Sequence, residues 1–384
     1  MNVLSIEKTS NSFDPLLERL SVGAREVLNE ETFKRTIAIE RKRTERSKKP
    51  FLLALLEVAN HQGSQENGRI LDGMVHAMLL SSRETDVIGW YKDRTTVGVM
   101  FTDLVASEKS SILSVILSKV SIALRDQLTP DQFTQVRTSF HFFPDHWDQD
   151  DFGRPSNPVL YPDLFSPDKE RRSLLGIKRV MDIAGSALML ILCAPLLLLI
   201  ALAIKVSSKG RVLFRQRRVG QHGQHFTFLK FRSMLTDNDH NVHKEYATKF
   251  IAGDAESRPS NGNGGGVYKL ANDKRVTRVG KFLRRTSLDE LPQFLNVLKG
   301  EMSLVGPRPP IPYELTTYQT WHRRRVLEVK PGITGLWQVT GRSRVTFDEM
   351  VRLDLRYATS WSPWLDFKIL MRTPVAVIKG TGAC

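Results

Sequence analysis

The stretch Ile183–Ile204, IAGSALMLILCAPLLLLIALAI, carries no charge, and its reading decides the fold. Twenty-two residues at 1.5 Å each make about 33 Å of helix, enough to cross a bilayer. Pro195, near the middle, removes one backbone N–H and crowds the carbonyl of Ile191, which bends or breaks the helix. Broken backbone in hydrocarbon has to be covered by protein or water. Both flanks are basic: Arg171, Arg172, Lys178 and Arg179 before, then Lys205, Lys209, Arg211, Arg215, Arg217 and Arg218 after. Positive flanks stay on the cytoplasmic side. Two arrangements fit this segment: a kinked span, or a re-entrant hairpin with arms of about 18 and 14 Å whose ends share one side of the membrane.

The charge on either side of the segment differs. Residues 1–170 hold 21 lysines and arginines against 25 acidic residues, and residues 171–384 hold 35 against 16, so the two parts carry −4 and +19. A field that strong calls for polyanionic partners: nucleic acid, an acidic membrane surface or phosphorylated substrates. At 384 residues the chain suggests two or three domains, each with its own core. Cys193 and Cys384 are the only cysteines, which offers neither a disulfide framework nor metal-ligand spacing and suits a reducing cytoplasm. The N-terminus is polar, without the pattern of a signal peptide.

Residues 1–30 read as a lead-in. A charged helix is predicted over Glu31–Lys49, a buried strand over Phe51–Val58, a helix over RILDGMVHAMLLSSR, and a hairpin in DVIGWYKDRTTVGVMF with its turn near Lys92 and Asp93. A further helix, Lys109–Arg125, and a strand, Val136–Phe143, complete a β-α-β-β-α-β order, the ferredoxin-like pattern. Residues 146–170, rich in Pro, Asp and Gly, read as a linker. The domain of residues 31–145 resembles a degenerate GGDEF domain, carried by its charged first helix, FLLALLEV and TDVIGWYKDRTTVGVMF. The family's nucleotide turn falls on Trp90-Tyr91-Lys92-Asp93-Arg94, without the paired glycines that admit a phosphate. Only Glu57 stands near an expected metal carboxylate. The resemblance therefore implies a packing or oligomerisation domain rather than a cyclase.

The basic part holds closely spaced patterns. FTFLKFRSM (Phe226–Met234) is strand-like and brings Lys230 and Arg232 together, and AESRPSNGNGGG (Ala255–Gly266) is a loop by composition. In TSLDELPQFLN, Ser287 followed by Glu290 has the spacing of a capping box, which puts Asp289 and Glu290 in the first turn of a helix. Acidic residues are favoured there by about 0.3–1 kcal/mol, so the pattern alone favours a capping role. A carboxylate held beside Arg284 and Arg285 is also expected to have a depressed pKa and stay ionised, fit to attack phosphorus if cations neutralise the substrate. VGPRPP presents Arg308 on a proline-stiffened turn, where its guanidinium matches phosphate oxygens.

Residues from about Lys178 to Cys384 resemble the bacterial sugar transferase family, the monotopic polyprenyl-phosphate hexose-1-phosphate transferases. The shared blocks are LFRQRRVG, FLKFRSM, RVTRVGKFLRRTSLDELPQFLNVLKGEMSLVGPRP, PGITGLWQVTGR and LDLRYATSWSPWLDFKILMRTP. The resemblance implies an α+β protein: the N-terminal domain, then a monotopic membrane catalytic domain over residues 171–384 with a re-entrant helix hairpin and interfacial amphipathic helices. It assigns catalysis to Asp289, as nucleophile toward the sugar-bearing phosphorus of a UDP-hexose, and to Glu290. It puts Mg²⁺ at Asp289 and the membrane break at Pro195. Arg308, Arg284, Lys230 and Arg232 are the candidates for phosphate or nucleotide contacts. Undecaprenyl phosphate is the implied acceptor, UMP the leaving group, and the cytoplasmic face of the bacterial inner membrane, with its anionic lipids, the location. Nucleic acid is not an expected partner, and a homodimer is left open. Two departures stand out, Ala194 where relatives carry serine and Lys274 where proline is commoner. Ser360–Ile378, with Trp361, Trp364, Phe367 and Lys368, has the mixture expected of an interfacial helix.

Overall fold

The computed structural model describes residues 26–59, 64–104, 109–145, 157–165, 169–234, 241–254, 258–259, 266–267, 276–341 and 345–378. Most of the predicted lead-in, most of the linker and of the loop Ala255–Gly266, and Lys274 lie outside the described residues. Contacts divide the chain into two compact units.

The first unit has the predicted order: α1 (Glu30–Ser47), β1 (Phe51–Val58), α2 (Ser64–Ser81), β2 (Val87–Lys92), β3 (Thr96–Phe101), α3 (Lys109–Gln127) and β4 (Val136–Phe143). The sheet runs β2-β3-β1-β4 with every neighbour antiparallel, the arrangement that a split pair of β-α-β crossovers produces. Alternation along β1 turns Leu52, Ala54 and Leu56 into the core shared with α2 and α3. On the other face Phe33 of α1 fills the space over Gly89 and Gly98, where any Cβ would strike its ring. Asn29 starts α1 by accepting from Thr32 N at 2.8 Å. The β2–β3 turn falls over Asp93–Thr95, with Arg94 in the left-handed region at φ 48°. Pro158–Phe165, predicted as linker, packs with this unit instead. Its Leu160 and Tyr161 are buried, the Tyr161 hydroxyl donates to Asp145, and Asp163 pairs with buried Arg41. Those apolar side chains are the exception in a Pro- and Asp-rich stretch, and they seat it.

The second unit is built on α4 (Lys169–Ser207), among the described residues the helix long and apolar enough to cross a membrane. Its 39 residues run as one helix through Pro195, whose missing N–H takes away the bond that would reach the Ile191 carbonyl. Side chains near the middle, such as Ile191 and Leu198, each 72% exposed, are left uncovered. Following α4 are the hairpin β5 (Leu213–Val219) and β6 (His225–Phe231), then α5 (Arg278–Thr286), α6 (Gln293–Lys299), β7 (Ser303–Val305), β8 (Gly332–Thr334), α7 (Phe347–Thr359) and α8 (Pro363–Ile378).

Both halves of α4 are anchored in this unit. On the N-terminal side Arg179 donates to the carbonyls of Val297 and Leu298 (2.6 and 2.7 Å), closing the C-terminus of α6. Asp182 accepts from Ser303 Oγ and Leu304 N, both at 2.9 Å. Lys178 reaches Val305 O and Asp366. Lys178 and Arg179, read from sequence as flanking charges, thus hold protein groups. On the C-terminal side Ile200 and Ile204 pack with Phe231 and Leu283. Helix α8 starts three residues later than predicted; it buries Asp366 and Ile369 and exposes Trp364, Phe367, Met371 and Val375.

Asp366 gathers Lys178 Nζ (2.5 Å), the Tyr357 hydroxyl (2.7 Å) and Trp361 Nε1 (3.1 Å). Asp366→Ala removes the carboxylate these donors share and leaves Lys178 and Tyr357 sharing the Val305 carbonyl, and breaking a buried pair costs about 3–5 kcal/mol. Thermal unfolding in detergent is expected to drop by roughly 6–20 °C; an unchanged midpoint would show that the network does not hold α4 and α8 to the unit.

Candidate active site

The site begins where α5 ends. Ser287 adopts φ 57° and closes α5, its N–H bonding to the Arg284 carbonyl, and Leu288–Glu290 then form a single 3₁₀ turn before α6. The predicted capping box is not formed: Ser287 makes no side-chain cap, because it terminates one helix instead of opening the next. Leu288 and Leu291 pack into the cluster of Ile200, Ile204, Phe231 and Leu283, so the acidic turn leans on the C-terminal half of the apolar helix.

Asp289 is only 7% exposed. Burial and the adjacent Glu290 carboxylate push its carboxyl up to about 6, against the pull of Lys230 and Arg284. The expected depression is therefore reversed; desolvation outweighs the arginines. Burial likewise pulls Lys230 down to about 8, with Asp289 and Glu290 holding its proton and Arg218 and Arg308 repelling it. Lys230 faces Phe214 across the β5–β6 hairpin, 5.2 Å from the ring centre. The structure thus brings together Asp289, Glu290, Lys230, Arg284 and Arg308, all singled out from sequence.

Arg308 is exposed on the loop after β7, and that loop is held from beneath. Arg218 donates to Pro309 O at 2.7 Å and Arg325 to Arg308 O at 3.2 Å. Arg325 is itself paired with buried Asp354 at 2.8 Å. The glycines of VGPRP and PGITG meet backbone to backbone: a Cβ on Gly332 would lie 2.0 Å from Gly306 N. Only glycine permits that approach.

Arg232 does not join the site. Its guanidinium donates to Ser208 O, Ser208 Oγ and Lys209 O, closing the C-terminus of α4, because the residue after β6 turns toward that helix end. Sequence reading took Arg218 only as a flanking charge and missed it as a site residue, a buried cation whose pKa burial and Arg308 lower to about 10. Strand alternation carried the signal: in LFRQRRV, Arg215 and Arg217 are exposed and Arg218 turns inward. Among the described residues no three Asp, Glu, His or Cys groups converge. The two neighbouring carboxylates of Asp289 and Glu290 still suit Mg²⁺, which takes few protein carboxylates and completes its shell with water and substrate phosphate.

The profile of the family "Bacterial sugar transferase" matches residues 173–380. The chain belongs to that family. Bacterial sugar transferases similar to it include the galactosyl transferase CpsE of Streptococcus agalactiae, 44% identical over 212 residues, which cover 55% of this chain and 44% of that one. The undecaprenyl-phosphate galactose phosphotransferase of Salmonella typhimurium is 42% identical, with 56% and 43% covered. The exopolysaccharide production protein ExoY of Rhizobium meliloti is 40% identical, with 54% and 87% covered. This chain therefore spans less than half the length of the first two. The GGDEF domain of DgcB from Caulobacter crescentus is 12% identical, covering 32% of this chain and 75% of that one, at a TM-score of 0.25.

A carboxyl shifted from 3.8 to about 6 destabilises the fold above pH 6, where the buried group must ionise; that cost fades as pH falls from 6 toward 4. Asp289→Asn is expected to raise stability at pH 7.5 by roughly 1–3 kcal/mol and to flatten its pH dependence between 4 and 6. Chemical denaturation of both proteins at several pH values tests this; an equal or lower stability for the asparagine variant contradicts the burial.

Proposed function

We propose that this bacterial sugar transferase moves a hexose-1-phosphate from a UDP-hexose to undecaprenyl phosphate, with release of UMP, as the first step in building an exopolysaccharide or other surface glycan. The observation that carries the reading is a buried carboxylate, Asp289, on a turn that packs against the apolar helix, acted on by Lys230 and Arg284, with Arg308 acting in turn on Lys230. In its ionised form Asp289 attacks the sugar-bearing phosphorus, giving a covalent phosphosugar on the enzyme. Lys230, Arg284 and Arg308 neutralise the phosphoryl oxygens in a site of low polarity, where such contacts count for most. Glu290 orients the reacting groups or moves a proton when the lipid phosphate takes the sugar phosphate. Mg²⁺, held by Asp289 and the substrate's own phosphates, would supply further charge neutralisation on the diphosphate.

One substrate is water-soluble and the other lies in the lipid, so the site has to work at the boundary. Anchoring of both halves of α4 in one unit supports a helix that enters and leaves the membrane on the same, cytoplasmic, face, with Pro195 at its deepest part. The exposed Trp364, Phe367, Met371 and Val375 of α8 support an interfacial position for that helix, and the basic charge favours anionic lipids of the inner membrane. The N-terminal unit serves packing or oligomerisation, including a homodimer.

Purified protein incubated with UDP-hexoses, Mg²⁺ and undecaprenyl phosphate is expected to release UMP, and intact mass measured before the lipid is added is expected to gain one hexose phosphate. Asp289→Asn abolishes both. The rate against pH is expected to form a bell, rising through about 6 as Asp289 ionises and falling through about 8 as Lys230 loses its proton. Lys230→Met removes the alkaline limb. Turnover by Asp289→Asn, or an active enzyme that never gains mass, refutes the reaction path.

A further inference from the structure

Gln293 stands apart from the other buried polar groups of α6. It is 2% exposed, and its Nε2 has no hydrogen-bond partner among the described residues. A buried amide donor without an acceptor costs free energy, and native proteins keep few such groups. The neighbouring Asn296, one turn on, is fully engaged: it accepts from Leu229 N and donates to Thr227 O and Glu301.

Position supplies the second observation. Leu291 and Pro292 keep right-handed helical backbone angles, so the chain coils without a break from the acidic turn into α6. Residues 289 and 293 therefore share one face, and both are buried. That face lies along β6, where Asn296 holds residues 227 and 229 and Asp289 acts on Lys230. Gln293 lies between these two contacts, one turn from the reacting carboxylate. Its terminal torsion is broad and nearly two-fold, so the amide can reorient about it without moving the backbone.

We propose that Gln293 is a further catalytic residue, whose side-chain amide donates a hydrogen bond to a non-bridging oxygen of the sugar-bearing phosphoryl group as Asp289 attacks. The inference rests on the function proposed above. In that step a carboxylate oxygen of Asp289 bonds to phosphorus, the bond from phosphorus to the bridging diphosphate oxygen breaks, and UMP leaves with the electron pair. No proton moves at Gln293. A neutral donor steadies charge on the phosphoryl oxygens without adding another cation beside Lys230.

Gln293→Met keeps the shape and removes the amide. In the full-length enzyme, thermal stability is expected to be unchanged or raised, because an unpartnered donor is gone. The kcat for UMP release from UDP-hexose is expected to fall about 100-fold, the usual effect of losing one oxyanion donor, with KM within about threefold. Sulfur in place of a non-bridging oxygen on the sugar-bearing phosphorus is expected to slow the wild type and to add little further slowing in Gln293→Met. If the methionine variant does not fold, Gln293→Glu, which replaces the donor by an acceptor, is expected to show the same loss above pH 7. A kcat within about threefold of wild type in whichever variant folds overturns the proposal, as does lost activity that tracks lost stability with the sulfur effect intact. A wild type that releases no UMP from any UDP-hexose overturns the reaction itself, whereas an active wild type with an unimpaired variant overturns only the role of Gln293.

Discussion

A carboxylate taken out of water needs compensation, and the second unit is arranged around that requirement at Asp289. Lys230 and Arg284 supply opposite charge, while burial and Glu290 push the other way and win, leaving the group near 6. Lys230 is held in the complementary condition, its proton loosened by burial and by two arginines. Neither partner is comfortable alone, so each depends on the β5–β6 hairpin and the acidic turn keeping their register. Asn296 provides that register by bonding β6 through both its oxygen and its nitrogen.

The same turn is tied to the apolar helix through Leu288 and Leu291, which share a cluster with Ile200 and Ile204. The other half of that helix is fixed by Lys178, Arg179 and Asp182. These contacts join the helix to the Arg308 loop as well, because Asp182 and Lys178 hold β7, from which that loop departs. Arg218 and Arg325 then fix the carbonyls of that loop. The charge cluster and the apolar helix are thus tied to each other through contacts within one unit.

Local pattern carried much of this into the sequence. The strands Phe51–Val58 and Val136–Phe143 have the predicted bounds, and the split β-α-β order gives the predicted sheet. Asp289, Glu290, Lys230, Arg284 and Arg308 were visible as charged residues in unusual settings, and they converge. Legibility failed where identity did not specify direction. Arg232 looked like Lys230's companion, yet two residues along an extended chain and past its end the side chain meets the end of α4. Ser287 and Glu290 had capping spacing, but a left-handed residue at 287 ended the preceding helix.

What the sequence determined by itself was periodicity and charge: which segments alternate, which stretch is apolar enough for a membrane, and which acids sit among cations. These are properties of neighbours along the chain. The tertiary structure alone decided the sign of the Asp289 shift, the seating of Pro158–Phe165 on the first unit, the continuity of the helix through Pro195, and the Gln293 amide, unpartnered among the described residues. Each of these is a balance between desolvation or a lost bond and contacts made by residues remote in sequence. Such a balance has no value until the chain has folded and water has been excluded.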